Sequence, residues 1–305
     1  MDSGPPEVII SGMVALAGPP NAGKSTLMNR LLGQKISIVT PKPQTTRNRI
    51  AGVLNGDGYQ IVFLDTPGLH RSSIPLNREM NQVALNSLND VEAVVFLVDA
   101  SRMVNSEERS RYQDELKGLL QSISAPIFLL LNKIDLVKRS ELLPLIESFS
   151  ALHPFGGVIP VSAVTGDGLE LVVDELLKVL PKGFAYFPED VPTDASQRFL
   201  ASEIIREKVF LLTGPEIPYS SAVLIESFKE DVIPGKVEIH ATIYLERKSQ
   251  KPILIGKGGS KIKQIGTAAR KEIEEMLEHK VVLHLWVKIK KHWSRDDAFL
   301  QEMGF

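Results

Sequence analysis

Eight consecutive residues constrain this chain more than any others: Gly18-Pro19-Pro20-Asn21-Ala22-Gly23-Lys24-Ser25. They fit the pattern G-x4-G-K-[S/T], follow the apolar run Val14–Ala17 and open a stretch of helical spacing at Lys24. A strand that breaks into such a turn and then a helix aims consecutive backbone N–H groups at one point, at the positive end of the helix. Gly18 and Gly23 keep side chains out of the way of a phosphate. The N–H groups of Asn21, Ala22, Gly23, Lys24, Ser25 and Thr26 form the cradle, Lys24 reaches the β/γ oxygens, and the Ser25 hydroxyl is a Mg²⁺ ligand. The expectation is a nucleotide-binding α/β domain.

The rest of the first ~180 residues agrees with that frame. Short apolar runs (Ile50–Leu54, Tyr59–Leu64, Ala93–Val98, Pro126–Leu131, Gly157–Val161) alternate with amphipathic stretches starting near Asn77, Ser106, Ser140 and Gly168. Such alternation predicts a mostly parallel sheet with helices on both faces. Asn55-Gly56-Asp57-Gly58 adds one antiparallel hairpin at its edge. A chain of 305 residues has room for about two domains. The proline-rich Pro181–Asp194 reads as a linker between a nucleotide domain (1–180) and an α+β domain (195–305).

Composition narrows the function classes. At 43% hydrophobic and 24% charged residues the chain is neither disordered nor membrane-embedded, and no apolar run approaches the roughly 18 residues of a membrane span. The N-terminus lacks the basic region of a signal peptide, so a cytoplasmic location is expected. With no cysteine, disulfides, thiolate metal sites and a cysteine nucleophile are excluded, and the spacing of the six histidines argues against a zinc site.

Two further segments select the nucleotide. Asp65-Thr66-Pro67-Gly68 ends the strand Tyr59–Leu64, where the Asp65 carboxylate can hold Mg²⁺ through water and the Gly68 N–H can sense a γ-phosphate. Asn132-Lys133-Ile134-Asp135 ends the strand Pro126–Leu131. A carboxylate there accepts from guanine N1–H and N2–H together, a donor pair that adenine lacks. Lys133 can cover the base, Asn132 can tie it to the first turn, and Ser162-Ala163 can place the Ala163 N–H at guanine O6. The three motifs in this order resemble the P-loop GTPases. In that family a threonine between the first two motifs closes on the γ-phosphate; Thr46 is the first choice here and Thr45 the second. Leu69 stands where many such enzymes have a water-orienting Gln, so slow intrinsic hydrolysis is expected, and the resemblance makes Asn21 a K⁺ ligand. His70 reads as a surface residue and Asp99 as a cap or turn residue. The catalytic set is then Lys24, Asn21, Thr46 and Gly68, with Ser25, Thr46 and Asp65 on Mg²⁺.

Net charge is −2, but Lys236–Trp293 carries +7 and the remainder −9, which suits a polyanion partner for the C-terminal block. Within it, Gly256-Lys257-Gly258-Gly259 precedes a helix whose Ile262, Ile265, Ala269, Ile273 and Met276 form a stripe. The order of elements around this GxxG turn resembles the type II KH domain, where the turn meets a nucleic-acid backbone. Lys257, Lys261 and Lys263 add charge beside it. On the last strand Leu283, Leu285, Val287 and Ile289 share a core face. Trp286 and Lys288 share the other, as a base-stacking surface or, alternatively, with Trp286 packed beneath the helix Ser294–Glu302.

A GTPase domain followed by a KH domain, together with Leu31–Ser37, Gln44–Arg47, Asp65–His70, Gln197–Lys208, Ile255–Ile265 and Leu285–Lys288, resembles the Era family of bacterial ribosome-assembly GTPases over nearly the whole chain. The resemblance implies a monomeric GTP/GDP switch, with Mg²⁺ and K⁺, that binds 16S ribosomal RNA near its 3′ end and assists assembly of the 30S subunit. It leaves open a peripheral contact at the inner face of the membrane. The competing reading is an RNA-binding scaffold whose nucleotide site is structural or purely regulatory.

Overall fold

The computed structural model describes residues 7–68, 80, 83–88 and 90–303. Among them the chain forms two compact units. The first has strands β1 (Ile9–Ala17), β2 (Ile50–Gly56), β3 (Tyr59–Asp65), β4 (Ala93–Asp99), β5 (Ile127–Asn132), β6 (Gly157–Pro160) and β7 (Lys182–Gly183). Its helices are α1 (Lys24–Leu32), α2 (Ala100–Met103), α3 (Ser106–Gln121), α4 (Arg139–Ser150) and α5 (Leu169–Leu177). The sheet order is β2-β3-β1-β4-β5-β6. β1 runs parallel to β3 and β4, β4 to β5 and β5 to β6, while β2 is the antiparallel hairpin partner of β3. Strands β4 and β5 are buried almost end to end, as strands covered on both faces must be. Parallel register aligns the carboxyl ends: Leu16 pairs with Asp65 and Asp99 with Asn132. Ligands of open α/β sheets bind at such an edge.

The stretch expected to be a linker, 181–194, is instead part of the first unit. Lys182–Gly183 pairs antiparallel with β1. Gln60, itself buried, donates to the Phe187 carbonyl and accepts from the Tyr186 and Phe187 N–H groups. Val53 N–H donates to the Pro192 carbonyl, Thr193 Oγ1 to the Ala51 carbonyl, and Ala51 N–H to Asp194. Proline cannot continue a ladder, but its carbonyl can still accept, so a proline-rich strip can cover a sheet edge. The helix expected near Asn77 begins outside the described residues.

The second unit holds α6 (Gln197–Leu212), α7 (Glu216–Tyr219), β8 (Ser221–Ile233), β9 (Lys236–Leu245), α8 (Gln250–Ile255), α9 (Ser260–Leu277), β10 (Lys280–Ile289) and α10 (Asp297–Glu302). Its sheet order is β10-β9-β8, with β10 parallel to β9 and β8 antiparallel to it. Ile265, Ala269 and Ile273 of α9 are fully buried, and Leu283, Leu285 and Val287 of β10 pack on the same core. The segment Ile38–Thr45 also belongs to this unit. Arg206 of α6 donates to the Thr45 carbonyl, Val39 N–H donates to Glu207, and Lys42 Nζ donates to the Phe210 and Thr213 carbonyls. No described helix is long and apolar enough to cross a membrane.

Candidate functional site

The turn between β1 and α1 contains two glycines at positive φ where an added Cβ would meet a close neighbour. A Cβ on Gly18 (φ +134°) would stand 2.4 Å from the Leu97 carbonyl oxygen, and one on Gly23 (φ +102°) 2.3 Å from Asn132 Nδ2. Lys24 lies over the turn, its ammonium donating to the Gly18 and Pro19 carbonyls at 3.0 Å each. Burial pulls its pKa down to about 8, against the raising influence of Asp65.

Asp65, at the end of β3, is fully buried. Ser25 Oγ donates to its Oδ2 at 2.6 Å and Thr46 Oγ1 at 3.4 Å, with the two hydroxyls 2.9 Å apart. Its other oxygen, Oδ1, is buried with no hydrogen-bond partner. Burial pushes this carboxyl up, while the Ser25 hydrogen bond, the Lys24 charge and the neighbouring Ser37 and Thr46 hydroxyls pull it down. Two hydroxyls and a carboxylate with an unsatisfied oxygen make a hard-oxygen set suited to Mg²⁺. The two threonines differ in their partners: Thr46 joins this set, whereas Thr45 Oγ1 bonds Thr40 Oγ1 and the Lys42 carbonyl, both at 2.7 Å. Gly68 passes so close to the first turn that a Cβ there would stand 2.8 Å from Pro20 Cα, and Thr66 Oγ1 anchors the segment by donating to the Leu16 carbonyl at 2.7 Å. Leu69 and His70 lie outside the described residues. Asn21, at φ +62°, is exposed at the tip of the turn, beside Ala22 and Gly23, and Thr26 continues α1.

The base-recognition segments converge on Asn132. Its Nδ2 donates to the Ala22 carbonyl at 2.7 Å and its Oδ1 accepts from Ala163 N–H at 2.9 Å, so one buried amide ties the phosphate turn to the loop after β6. The Ala163 N–H, expected at guanine O6, is therefore engaged by Asn132. Asp135 is exposed and accepts from Ser162 Oγ at 2.6 Å, which orients the carboxylate. Lys133, in left-handed backbone conformation, reaches Asp99 Oδ2 at 2.5 Å. Asp99 also caps α2, accepting from Ser101 N–H at 3.1 Å. The cap expected from the sequence is present; the grip on Lys133 was missed, and only the β4/β5 register, which pairs Asp99 with Asn132, exposes it.

In the second unit, Gly256, Gly258 and Gly259 all have positive φ. A Cβ on Gly256 would lie 2.7 Å from Lys261 Cβ, whereas nothing lies near Gly258 or Gly259. The turn thus presents bare backbone at the start of α9, with Lys257 and Lys263 exposed and Lys261 Nζ donating to Gln264 at 3.3 Å. Trp286 and Lys288 are not brought to this turn. They stand on the face of β10 opposite Leu285 and Val287, and hence opposite α9. Trp286 is 45% exposed and stacks on His240, while Lys288 pairs with Glu226 at 2.9 Å. The tryptophan beneath the C-terminal helix is Trp293, fully buried, its indole N–H donating to the Ser220 carbonyl.

Comparison with known proteins agrees with both halves. The model of the 50S ribosome-binding GTPase family matches residues 13–133, and that of the KH domain matches 216–294. GTPase Era of Syntrophus aciditrophicus is 47% identical, with 97% of this chain and 95% of the relative aligned. The Geobacter metallireducens protein of the same name is 48% identical, with 97% of each aligned. Two crystal structures, each 40% identical and spanning 97% of this chain and 99% of theirs, superpose with TM-scores of 0.89 and 0.90. One is an Aquifex aeolicus Era variant bound to GDP and aluminium fluoride; the other is Era with MgGDPNP and nucleotides 1506–1542 of 16S ribosomal RNA.

Proposed function

The chain belongs to the Era family of GTPases, and from that premise we propose that its GTP-hydrolysing site switches binding of the 3′ region of 16S ribosomal RNA during assembly of the 30S subunit in the cytoplasm. The observation that carries the switch is the convergence of Ser25, Thr46 and Asp65 on one point, with Asp65 Oδ1 unsatisfied. A purely structural nucleotide site has no need of Thr46, which the loop after α1 delivers to that set. In this reading Ser25 and Thr46 ligate Mg²⁺ and Asp65 holds it through water. The ion screens the charge that builds on the transferred phosphoryl group. Lys24 leaves the Gly18 and Pro19 carbonyls for the β/γ oxygens, the N–H groups of Asn21 to Thr26 hold the phosphates, and the Gly68 N–H meets the γ-phosphate. Asn21 ligates K⁺, in a chain with Leu69 at the usual glutamine position. Asp135, braced by Ser162, selects guanine; Lys133, braced by Asp99, covers the base.

RNA meets the Gly256–Gly259 backbone, with Lys257, Lys261 and Lys263 on its phosphates. Trp286 and Lys288, on the other face of the sheet, form a separate surface. The test pairs two measurements: crosslinking the protein to cellular RNA with sequencing of the footprint, and single-turnover GTP hydrolysis by Thr46→Ala. We expect a footprint at the 16S 3′ end and a fall in hydrolysis of roughly tenfold or more. A footprint spread over unrelated RNAs, or unchanged hydrolysis, would leave the scaffold reading standing.

A further inference from the structure

We propose that Glu238, His240 and His284 form a binding site for a divalent transition-metal ion of the zinc class on the outer face of the second unit's sheet. Nothing in the nucleotide or RNA chemistry above uses these residues. His240 on β9 and His284 on β10 are register partners in the parallel pair, so their side chains emerge side by side. Glu238 precedes His240 by two residues and emerges on the same face. The sequence spacing of the histidines hides this, because the ligands come from two strands separated by two helices.

The distances suit a metal. Glu238 Oε1 lies 3.2 Å from His240 Nε2 and 3.4 Å from His284 Nε2. Ligands bonded to zinc at about 2.0–2.1 Å stand about 3.3 Å apart along the edges of a tetrahedron. One donor atom from each of the three residues falls within 4.8 Å of the others. Two imidazoles and one carboxylate favour Zn²⁺ or Ni²⁺ over Mg²⁺, which prefers oxygen ligands and its own waters. The three residues are partly exposed, so an ion can enter from solvent and water can complete its coordination.

The rings are also held in place. Trp286 stacks on His240 at 5.2 Å between centroids and 13° between planes, and on His284 at 5.8 Å and 29°. The two imidazoles lie 4.7 Å apart. Packing of this kind fixes ring orientation and lowers the cost of ordering the ligands. It also places a fluorophore against the site, and the chain's other tryptophan, Trp293, is fully buried beneath α10.

The experiment uses the full chain saturated with GDP and excess Mg²⁺, which keeps the nucleotide site occupied. Zn²⁺ is titrated against a chromophoric chelator, and Ni²⁺ is titrated while tryptophan emission is followed. We expect one zinc equivalent per chain that Mg²⁺ does not displace, quenching of Trp286 by Ni²⁺, and a rise in Tm with Zn²⁺, since binding only the folded state stabilises it. His240→Gln, His284→Gln and Glu238→Gln should each weaken binding by roughly tenfold or more and abolish the Tm shift, with circular dichroism and GDP binding as parent. Zinc binding of equal strength in all three variants, or no stoichiometric binding in the parent, would overturn the assignment and leave the cluster as two histidines sharing one carboxylate.

Discussion

Lys24 carries a charge in a place that disfavours it, and that has a measurable consequence. Its pKa is held down to about 8 by burial. A bound phosphate chain favours the ammonium form and raises that value again. A group whose pKa is higher in the bound state gives affinity that is complete below the free pKa and lost as pH rises through the bound one. GTP binding should therefore take up protons above about pH 8 and weaken from there towards pH 10. Calorimetry at pH 8.5 in buffers of different ionisation heat reads the uptake directly; heats that do not vary with buffer would contradict it. Asp135 makes a second residue-scale prediction. Replacing it by Asn removes the acceptor for the guanine donor pair, so GDP affinity should fall at least tenfold, about 1.4 kcal/mol, and xanthosine diphosphate affinity should rise. Ser162→Ala, which frees the Asp135 carboxylate without removing it, should do less. A GDP affinity unchanged in Asp135→Asn would sink the base assignment. These residues could be singled out in the sequence because each motif is local: strand end, turn and helix start lie within eight residues. Thr46 could be ranked ahead of Thr45 in the sequence, but its grouping with Ser25 and Asp65 depends on where a loop delivers two adjacent hydroxyls.

Elements were legible where periodicity is strong and obscure where tertiary bonding replaces it. Of the α9 stripe read from sequence, Ile265, Ala269 and Ile273 are fully buried and Ile262 and Met276 pack partly buried against the same core, because helical spacing decides which face turns inward. The strip 181–194 looked like a linker because prolines and the absence of any period mimic solvent-exposed chain, yet its carbonyls and Gln60 close the edge of a sheet. Helix α6 shows the reverse case. Its Arg206 and Glu203 are nearly fully buried and joined by two hydrogen bonds, the Nε one at 2.7 Å, with Arg206 also donating to the Thr45 carbonyl. An i,i+3 charge pair on a helix normally signals a surface. Arg206→Ala would strand the Glu203 carboxylate in the interior, and we expect a loss of about 3–5 kcal/mol on urea unfolding of the second unit. A loss below about 1 kcal/mol would mean that water reaches Glu203. The glycine turn separates fold from function more finely. Gly256→Ala should cost about 1–3 kcal/mol, since the new Cβ meets Lys261 at positive φ. Gly258→Asn should cost about 1 kcal/mol or less, since asparagine tolerates φ +60° and space is open there. Single-stranded RNA binding should nevertheless fall in both, because bare backbone at the turn is what the ribose-phosphate chain would meet.

At the scale of the whole chain the charge is concentrated in one stretch of sequence, and this asymmetry sets how salt acts on it. Lys236–Trp293 carries +7 while the remainder carries −9, so an RNA ligand is attracted to one block and repelled by the rest. The sequence already displayed this division, because charge counts need no coordinates. What it could not display is which cations are committed within the protein: Lys288 to Glu226, Lys290 to Asp296 and Lys280 to Glu274. Lys257 within the glycine turn and Lys263 on the first turn of α9 are exposed, so they are the residues that should neutralise phosphate. Each phosphate contact to a single strand contributes about 0.7 to the slope of log affinity against log salt. Lys257→Ala and Lys263→Ala should therefore each flatten that slope by about 0.7, weaken unrelated RNA sequences alike, and leave GDP binding unchanged. Lys288→Ala should alter the slope much less, because its charge is already paired with a carboxylate. Titration of a labelled 16S 3′-end oligonucleotide at several KCl concentrations measures all three slopes. If Lys288→Ala flattens the slope as much as Lys257→Ala does, the outer sheet face carries phosphate and the glycine turn is not the principal RNA contact.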